Sequence, residues 1–369
     1  MQEMRDTQDM PIRSATRGSE EMVDAVVVGG GPAGLSAALW LGRYLHSVIV
    51  IDSGDPRHWE TRGVNGYPGL PDISPAALRG RIRDECRQFG ARLEDGFVTR
   101  VRREGDERFV VEWDPLPVTK ARVNGSGPGA PRAPEDNAPS AVTQRVVGRR
   151  LLLAFGLRDE WPKVPGLQQV YGKTAHVCPD CDGYWTRDRR VAVIGSGRKA
   201  VGMALNLTTW TRDIVICTNG ADPDMDAELR GKLDRLDIPV HTAPIMRVHH
   251  DGEVARDIEL EGGERVPCQH IFFSLSQRPA DDLAAQLGCE RTELGHVVID
   301  GAYHTSVYNC WAAGDIVPGP QLAVAAAADG AIAALAMHKS LVPPERKLEP
   351  KQHERHDHRP QRTVEHHGR

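Results

Sequence analysis

The sequence predicts an α/β fold with two Rossmann-like, three-layer dinucleotide-binding domains, the second inserted in the first. Two observations carry most of this prediction: glycine-rich turns at residues 29–34 and 195–200, each between a short apolar run and a helical pattern. The third observation is the apolar segment 309–315, which follows the second domain and returns the chain to the first.

The first glycine-rich turn follows an apolar run at residues 25–28 and precedes a helical pattern at residues 35–45. Gly29 allows the tight turn, Gly31 lets the backbone approach a pyrophosphate, and Gly34 lets the helix pack close to the strand. The phosphates would lie at the helix amino terminus, where N–H groups and the helix dipole favour negative charge. The predicted cofactor-binding residues of this turn are Gly29, Gly31, Pro32, Ala33 and Gly34.

An acidic residue completes the first unit. The apolar run 48–51 ends at Asp52, about twenty residues after the turn, where a carboxylate that binds a ribose hydroxyl is expected. A strand, a turn, a helix and an acid together are more specific than the glycine pattern alone.

The segments that follow complete the first domain. Residues 74–89 are predicted as a helix capped by Ser74, with proline at the next position. Short apolar segments at 97–113 predict an antiparallel meander, and 150–156 a strand. Between them, residues 115–143 are rich in proline, glycine, alanine and serine, which predicts a flexible insertion within a hairpin.

The domain boundaries follow from these elements. We predict a disordered leader, two parts of a first dinucleotide-binding domain flanking a second dinucleotide-binding domain, and a disordered, His-rich tail. The corresponding ranges are 1–21, 22–157, 158–276, 277–342 and 343–369.

Composition narrows the class of protein. The 369 residues are 40% hydrophobic and 26% charged, which is ordinary for a globular protein. The net charge of −5 and a pI near 6.3 argue against a nucleic-acid binder. The first 22 residues have no apolar core, so we expect neither signal peptide nor membrane anchor, and a cytoplasmic location.

Seven cysteines are spread thinly along the chain, which is unlike a secreted disulfide framework. Five of them are isolated and are interpreted as small buried hydrophobes. These five are Cys86, Cys217, Cys268, Cys289 and Cys310.

The other two cysteines, Cys178 and Cys181, lie between the glycine turns and are separated by two residues. Such a pair can close a small disulfide loop, and the adjacent Asp182 could donate or accept the proton that thiol exchange requires. The alternative is half of a zinc site with His176 as third ligand. No second paired motif stands at suitable spacing for that site, and no metal is expected.

The second glycine turn, at 195–200, follows the run Val191–Ile194. Arg198 and Lys199 lie in the first turn of the helix, where cations oppose the helix dipole unless an anion is present. They therefore bind a phosphate or face solvent. The predicted nucleotide-binding residues here are Gly195, Gly197, Arg198, Lys199 and Ala200.

The last recognisable element is the Ala-rich segment 321–337, predicted as a helix. Its amino terminus, with Gln321 and Leu322, is placed to point at a bound ring and to stabilise an anion there.

These motifs, in this order, resemble those of the low-molecular-weight thioredoxin reductases, within the wider group of pyridine-nucleotide-disulfide flavoproteins. The resemblance runs from about residue 24 to 341, without the insertion, and includes Gly314-Asp315. It implies FAD held by the first domain, with Asp315 at the ribityl chain. It also implies a homodimer and a second domain that carries the cysteine pair and a nicotinamide site.

The resemblance further implies a role for each residue of the pair. Cys181 would be the thiol nearest the flavin, Cys178 the one that attacks a substrate disulfide, and Asp182 the acid-base group. The cysteine pair and the nicotinamide would alternate at the flavin by domain rotation about linkers near Leu157 and Gln277.

One departure bears on the electron donor. In NADPH-dependent members, the strand after the second turn leads to arginines that bind the 2′-phosphate. Here Ile214–Cys217 is followed by Thr-Asn-Gly-Ala-Asp, with neither an arginine nor an acid at the strand end. Smaller departures are Phe155 and Pro320.

The sequence therefore predicts an FAD-dependent dithiol-disulfide oxidoreductase that acts on a small-molecule or protein thiol pair. NADPH, NADH, ferredoxin and oxygen stay open as electron donor or acceptor. The alternatives are a nicotinamide-independent dithiol oxidase of the gliotoxin-oxidase type, and a flavin-binding redox sensor that uses the tail to contact a partner.

Overall fold

The structure is a computed structural model that describes residues 21–58, 61–116, 142–273 and 276–348. Most of the predicted leader, insertion and tail lies outside these residues. The strands on either side of the predicted insertion pair antiparallel, as the predicted hairpin requires.

The described residues form two layered units. The strands are β1 (Met22–Val28), β2 (Val48–Asp52), β3 (Arg92–Arg103), β4 (Phe109–Pro115), β5 (Gln144–Leu153), β6 (Leu157–Glu160), β7 (Ala175–His176), β8 (Val191–Ile194), β9 (Ile214–Cys217), β10 (Val240–His241), β11 (Ile245–Asp251), β12 (Val254–Leu260), β13 (Arg265–Pro267), β14 (His270–Phe273), β15 (Ser276–Pro279) and β16 (Cys310–Ala312). The helices are α1 (Pro32–Arg43), α2 (Pro75–Gln88), α3 (Leu167–Val170), α4 (Pro179–Asp182), α5 (Gly197–Leu207), α6 (Ala227–Asp234), α7 (Leu283–Gln286) and α8 (Ala323–Leu341).

The first unit is built on a parallel sheet in which β1 pairs with β2 and β5, β2 with β3, and β5 with β16. Both faces of β1 are buried. Ala25 and Val27 pack against α1 and α8, whereas Val26 and Val28 pack beneath the antiparallel meander of β3, β4 and β5. A continuous apolar run is therefore what this central strand needs.

Glycines set the close approach of helices in this unit. A Cβ at Gly34 would lie 1.9 Å from the carbonyl oxygen of Gly29, and a Cβ at Gly330 would lie 1.9 Å from that of Ala33. Only glycine fits at either position. As a result, α8 crosses the beginning of α1 and its own amino terminus lies beside the first glycine turn.

The second unit has a parallel sheet in the order β10-β9-β8-β14-β7. Helices α5 and α6 cover one face, and the antiparallel sheet β11-β12-β13 covers the other. Its sequence lies between β5 and β16 of the first sheet, and β6 pairs antiparallel with β15 where the chain enters and leaves. The predicted fold class, with one domain inserted in the other, is confirmed.

Two local predictions need correction. The helix expected at residues 35–45 begins at Pro32 and ends at Arg43, because Leu45 adopts a left-handed φ of 64° that stops the helix. The tail, expected to be disordered from residue 343, begins with a 3-10 turn over Pro344–Arg346, which the fixed φ of proline favours. Residues 349–369 lie outside the described part.

Two other local predictions hold. Helix α2 begins after Ser74, whose hydroxyl accepts a 3.2 Å hydrogen bond from the Ala77 N–H. All five isolated cysteines are buried thiols. Among the helices of the described residues, none combines the length and apolarity that a membrane crossing needs.

Candidate active site

A cavity of about 520 Å³ lies where the first glycine turn, the cysteine pair and the amino terminus of α8 meet. It joins both units of the fold, because its wall contains residues of each. Twelve of the predicted site residues line it: Gly29, Gly31, Pro32, Ala33, Asp52, Cys178, Cys181, Asp182, Gly314, Asp315, Gln321 and Leu322. Gly34 does not line it but packs below the turn.

The first glycine turn presents open space to this cavity. A Cβ at Gly31 would meet nothing within 4 Å, and no side chain caps the amino terminus of α1. Gly29, in contrast, has φ 106°, and a Cβ there would lie 2.3 Å from the Ala154 carbonyl oxygen. The turn thus leaves room at a helix amino terminus for the pyrophosphate of a dinucleotide, and these residues fit FAD.

Asp52 lies at the cavity wall and is paired with Arg79 of α2. Its carboxylate also accepts a hydrogen bond from Gly54 N–H at 3.2 Å and another from Gly30 N–H. Burial raises the pKa of Asp52, but the Arg79 guanidinium and these two N–H groups outweigh it and hold the pKa below its usual value. Asp52 is therefore an anion, and its role toward a ribose stays a prediction.

Arg57 connects the two parts of the first unit to a linker strand. Its guanidinium binds both carboxylate oxygens of Asp159 on β6, at 2.6 and 3.1 Å, and contacts Asp315 at 3.2 Å and the Gln321 side-chain oxygen at 2.6 Å. Burial lowers the pKa of Arg57, but the carboxylates of Asp159 and then Asp315 raise it by a larger amount. The pKa is therefore above its usual value, and the guanidinium keeps its charge. Gln277 of β15 also contacts Asp159 and Gln321.

Cys178 and Cys181 form a disulfide, with 5.3 Å between their Cα atoms. Cys178 caps the short helix α4, since its Sγ accepts a 3.1 Å hydrogen bond from the Cys181 N–H. In this state the two sulfurs are bonded to each other, whereas zinc ligation would require both as thiolates. The pair is half-buried at the wall of the cavity.

Asp182 is fixed from both sides. Its Oδ1 accepts a 2.9 Å hydrogen bond from the Asn65 amide, and its Oδ2 lies 3.4 Å from His176 Nδ1. Asn65 belongs to the first unit and Asp182 to the second, so this hydrogen bond crosses the junction between them. A rotation of one unit against the other would break it.

The second glycine turn differs from the first. Gly197 N–H donates a 2.8 Å hydrogen bond to the Pro223 carbonyl, and a Cβ at Gly197 would lie 3.2 Å from Asp224 Oδ2. Asp224 has a left-handed φ of 48°, and its N–H donates to Asp222 Oδ1 at 2.8 Å. The acidic loop 222–226 therefore covers the point where a second pyrophosphate would approach.

The other residues predicted at the second turn lie apart from the 520 Å³ cavity. Arg198 and Lys199 are exposed on α5, with Arg198 4.0 Å from Asp226, and Ala200 is buried against the sheet. Gly195 has a positive φ of 152°, which glycine adopts readily in such a turn. The assignment of these residues to a nicotinamide nucleotide stays a prediction.

Sequence reasoning missed Arg57, Asn65 and Arg79, and considered His176 only as a metal ligand. Arg79 could have been found from the sequence. It stands four residues before Arg83 on the predicted helix, so the two arginines lie on the same face. Arg57 and Asn65 stand in irregular segments that no motif covers.

Fold and site together define a two-domain, dinucleotide-binding oxidoreductase with a redox-active disulfide at the domain junction. Residues 23–330 match the family described as pyridine nucleotide-disulphide oxidoreductase. The chain belongs to this family.

Individual relatives refine the class. The chain is 25% identical to the thioredoxin reductase of Helicobacter pylori over 86% of its own length and 98% of that protein's. It is 27% identical to the thioredoxin reductase tcpT of Claviceps purpurea over 80% of its own length and 87% of that protein's. The crystal structure of HlmI superposes with a TM-score of 0.75 at 32% identity, covering 87% of this chain and 92% of that one. The protein is thus a thioredoxin-reductase-like dithiol-disulfide oxidoreductase, a family that carries FAD.

Proposed function

We propose that the 520 Å³ cavity holds FAD and that the Cys178–Cys181 disulfide passes electron pairs between this FAD and an external thiol pair. The observation that carries the proposal is that the disulfide and the open first glycine turn line the same cavity. When bound, FAD supplies a carrier that accepts or donates two electrons.

The residues of the chain divide the remaining work. The N–H groups around Gly31 bind the pyrophosphate, Asp315 binds the ribityl chain, and the amino terminus of α8 points at the ring. Two electrons that reach the disulfide break its S–S bond and leave two thiolates, which take up two protons. Asp182, beside the pair, donates one of them and recovers it when the dithiol is reoxidised.

The partner is a small-molecule or protein dithiol or disulfide. A thioredoxin-like protein is the first to try, because curated relatives are named thioredoxin reductases. We place the protein in the cytoplasm, where a reducing environment keeps such a pair in use, and expect a homodimer.

A second candidate is a nicotinamide-independent dithiol oxidase. It is favoured by the acidic loop 222–226, which satisfies the Gly197 N–H and places carboxylates where a nucleotide phosphate would lie. In the oxidase reaction a substrate dithiol loses two electrons and two protons to become a disulfide. Oxygen takes up the two electrons and the two protons to become hydrogen peroxide.

Anaerobic reduction separates the two candidates. We expect dithiothreitol to bleach the visible flavin absorption of the wild-type protein. Bleaching by NADPH should be at least about tenfold faster in Asp224→Gly than in the wild type, because the variant removes a carboxylate from the phosphate position and relaxes the loop. Asp237→Gly is the matched control, since Asp237 also has a left-handed φ, 53°, but lies outside the loop.

The outcomes are distinct. Fast bleaching of the wild type by NADPH would establish the reductase direction and show that the loop moves aside. Bleaching by dithiothreitol alone, with recovery in air, would establish the oxidase. A yellow protein that neither reductant bleaches would contradict both candidates.

A further inference from the structure

We propose that His176 and His270 form a proton path from Asp182 through the second unit to solvent on its far side. In this path His176 positions Asp182 and returns its proton. The inference rests on the proposed function, because it concerns protons that accompany electron transfer at the Cys178–Cys181 pair.

His176 is in direct reach of the acid-base group. It stands on β7 with 5% of its surface exposed, and its Nδ1 lies 3.4 Å from Asp182 Oδ2. Of the two side chains that hold Asp182, Asn65 donates an amide hydrogen and does not titrate, whereas His176 can both give and take a proton. Proton exchange with Asp182 from within the protein therefore goes through His176.

The other nitrogen of His176 is buried and has no hydrogen-bond partner among the described residues. Such groups are rare inside folded proteins, where buried polar atoms are paired. His270 stands beside it, with ring centroids 5.7 Å apart and ring planes inclined by 21°. Its Nδ1 is likewise buried and unpartnered within the described part of the chain.

The two rings line different cavities. His176 lines the 520 Å³ cavity that contains the disulfide, whereas His270 lines a second cavity of about 580 Å³. The second cavity is also lined by the exposed residues Arg189, Arg190 and Arg256, so it communicates with solvent. The histidine pair thus spans from the cavity of the reacting cysteines to the second cavity. Because His176 Nε2 and His270 Nδ1 are not hydrogen-bonded to each other, the proton would cross between the two rings through a bridging water.

The electrostatic surroundings suit a relay. His176, Arg189 and Asp182 are the charged or titratable groups that act on His270. Burial, then His176 and Arg189, lower the pKa of His270 to about 4, against a smaller opposite effect of Asp182. At neutral pH the ring is uncharged, with one nitrogen that accepts and one that donates, and it can pass a proton in either direction.

The proton balance defines the need for such a path. When an external dithiol reduces the disulfide, the S–S bond of the pair breaks, an S–S bond forms in the dithiol, and two electrons pass to Cys178 and Cys181. The two protons that leave the dithiol are taken up by the new thiolates, and both leave again when the pair is reoxidised. Asp182 holds one proton at a time and must exchange it with another group before it can transfer the second. A cofactor and a substrate in the first cavity would close the direct way to water, whereas the second cavity stays open.

The test is stopped-flow reduction of the flavin-loaded, full-length protein by dithiothreitol at pH 6 to 9, in H2O and in D2O. Alkylation and mass spectrometry follow the two cysteines in parallel. We expect His176→Ala to slow reduction about 100-fold, the range typical of a lost acid-base group, and to enlarge the solvent isotope effect. Added imidazole should restore the rate, whereas pyrrole, which is not basic, should not.

His270→Phe keeps a stacked ring and removes the nitrogens, so a structural role would survive the change and a relay would not. We expect it to slow reduction about tenfold with the same rise in isotope effect. His249→Gln is the control, since His249 is a half-buried histidine of the same unit, 2.6 Å from Glu259. It should behave as wild type.

Wild-type rates and isotope effects in both His176→Ala and His270→Phe would overturn the relay. The relay is also overturned if His176→Ala is too unstable to purify and His270→Phe is unchanged. Failure of the relay is separable from failure of the proposed function, because reduction of the wild type would then still require both cysteines.

Discussion

Cys178→Ser and Cys181→Ser should each lower dithiol or disulfide turnover by at least about a thousandfold while the protein stays yellow. Neither variant can form the disulfide, and a serine hydroxyl is not a substitute for a thiolate that exchanges with sulfur. The cavity wall changes by one atom in each case, so FAD affinity should be unchanged. Turnover and the flavin spectrum are the two measurements.

Cys217→Ala is the matched control. Cys217 is a fully buried thiol of the same unit, and burial raises its pKa to about 12, so it stays protonated at neutral pH. Its removal should leave turnover intact. Full activity in either serine variant of the pair would contradict the mechanism at its centre.

The two serine variants should also differ from each other. If Cys178 is the sulfur that meets the substrate, Cys181→Ser keeps that nucleophile and loses the group that resolves the mixed disulfide. A substrate disulfide should then accumulate on Cys178 and be visible by mass spectrometry. Accumulation in Cys178→Ser instead would exchange the roles of the two cysteines.

The parts of the fold that the sequence predicts well are those determined within a few residues. Both glycine turns, the Ser74 cap and the strands β8 and β9 follow from local sterics, capping and apolar runs. The disulfide belongs to this group, because its cysteines stand only three positions apart in the chain.

The parts that the sequence could not predict depend on long-range pairing. Arg57 reaches Asp159 and Asp315, 102 and 258 residues away, and Asn65 reaches Asp182 across 117 residues. No periodic pattern in the sequence predicts such contacts. An arginine or asparagine in a loop has the same local pattern as a solvated surface residue, and only the tertiary structure shows its partner.

The second glycine turn is an intermediate case. Its strand, turn and helix are predicted correctly, and the absence of arginines after β9 is visible in the sequence. That the loop 222–226 covers this turn could not be predicted from the sequence, because it depends on a bend that places Asp224 in a left-handed conformation over Gly197. A nucleotide motif can thus keep its shape while the next loop takes up its hydrogen-bonding groups.

Gly31→Val should give a folded protein that binds FAD more weakly than the wild type. Gly31 has φ −76°, which any residue adopts, and its Cβ would point into open cavity. A valine there fills the space of the pyrophosphate and should weaken FAD binding about 100-fold, equivalent to roughly 3 kcal/mol of lost hydrogen bonds to a charged group. Flavin fluorescence titration measures the affinity, and thermal unfolding of the apoprotein measures the fold.

Two other glycines make the result interpretable. Gly80→Val on α2 also adds a side chain in open space, away from the cavity, and should leave FAD affinity unchanged. Gly29→Val should fail differently, because its φ of 106° and the Ala154 carbonyl at 2.3 Å oppose any side chain, so the apoprotein itself should be destabilised. Normal FAD affinity in a folded Gly31→Val would mean that the cofactor lies elsewhere, because a pyrophosphate at this turn and a valine at Gly31 cannot occupy the same space.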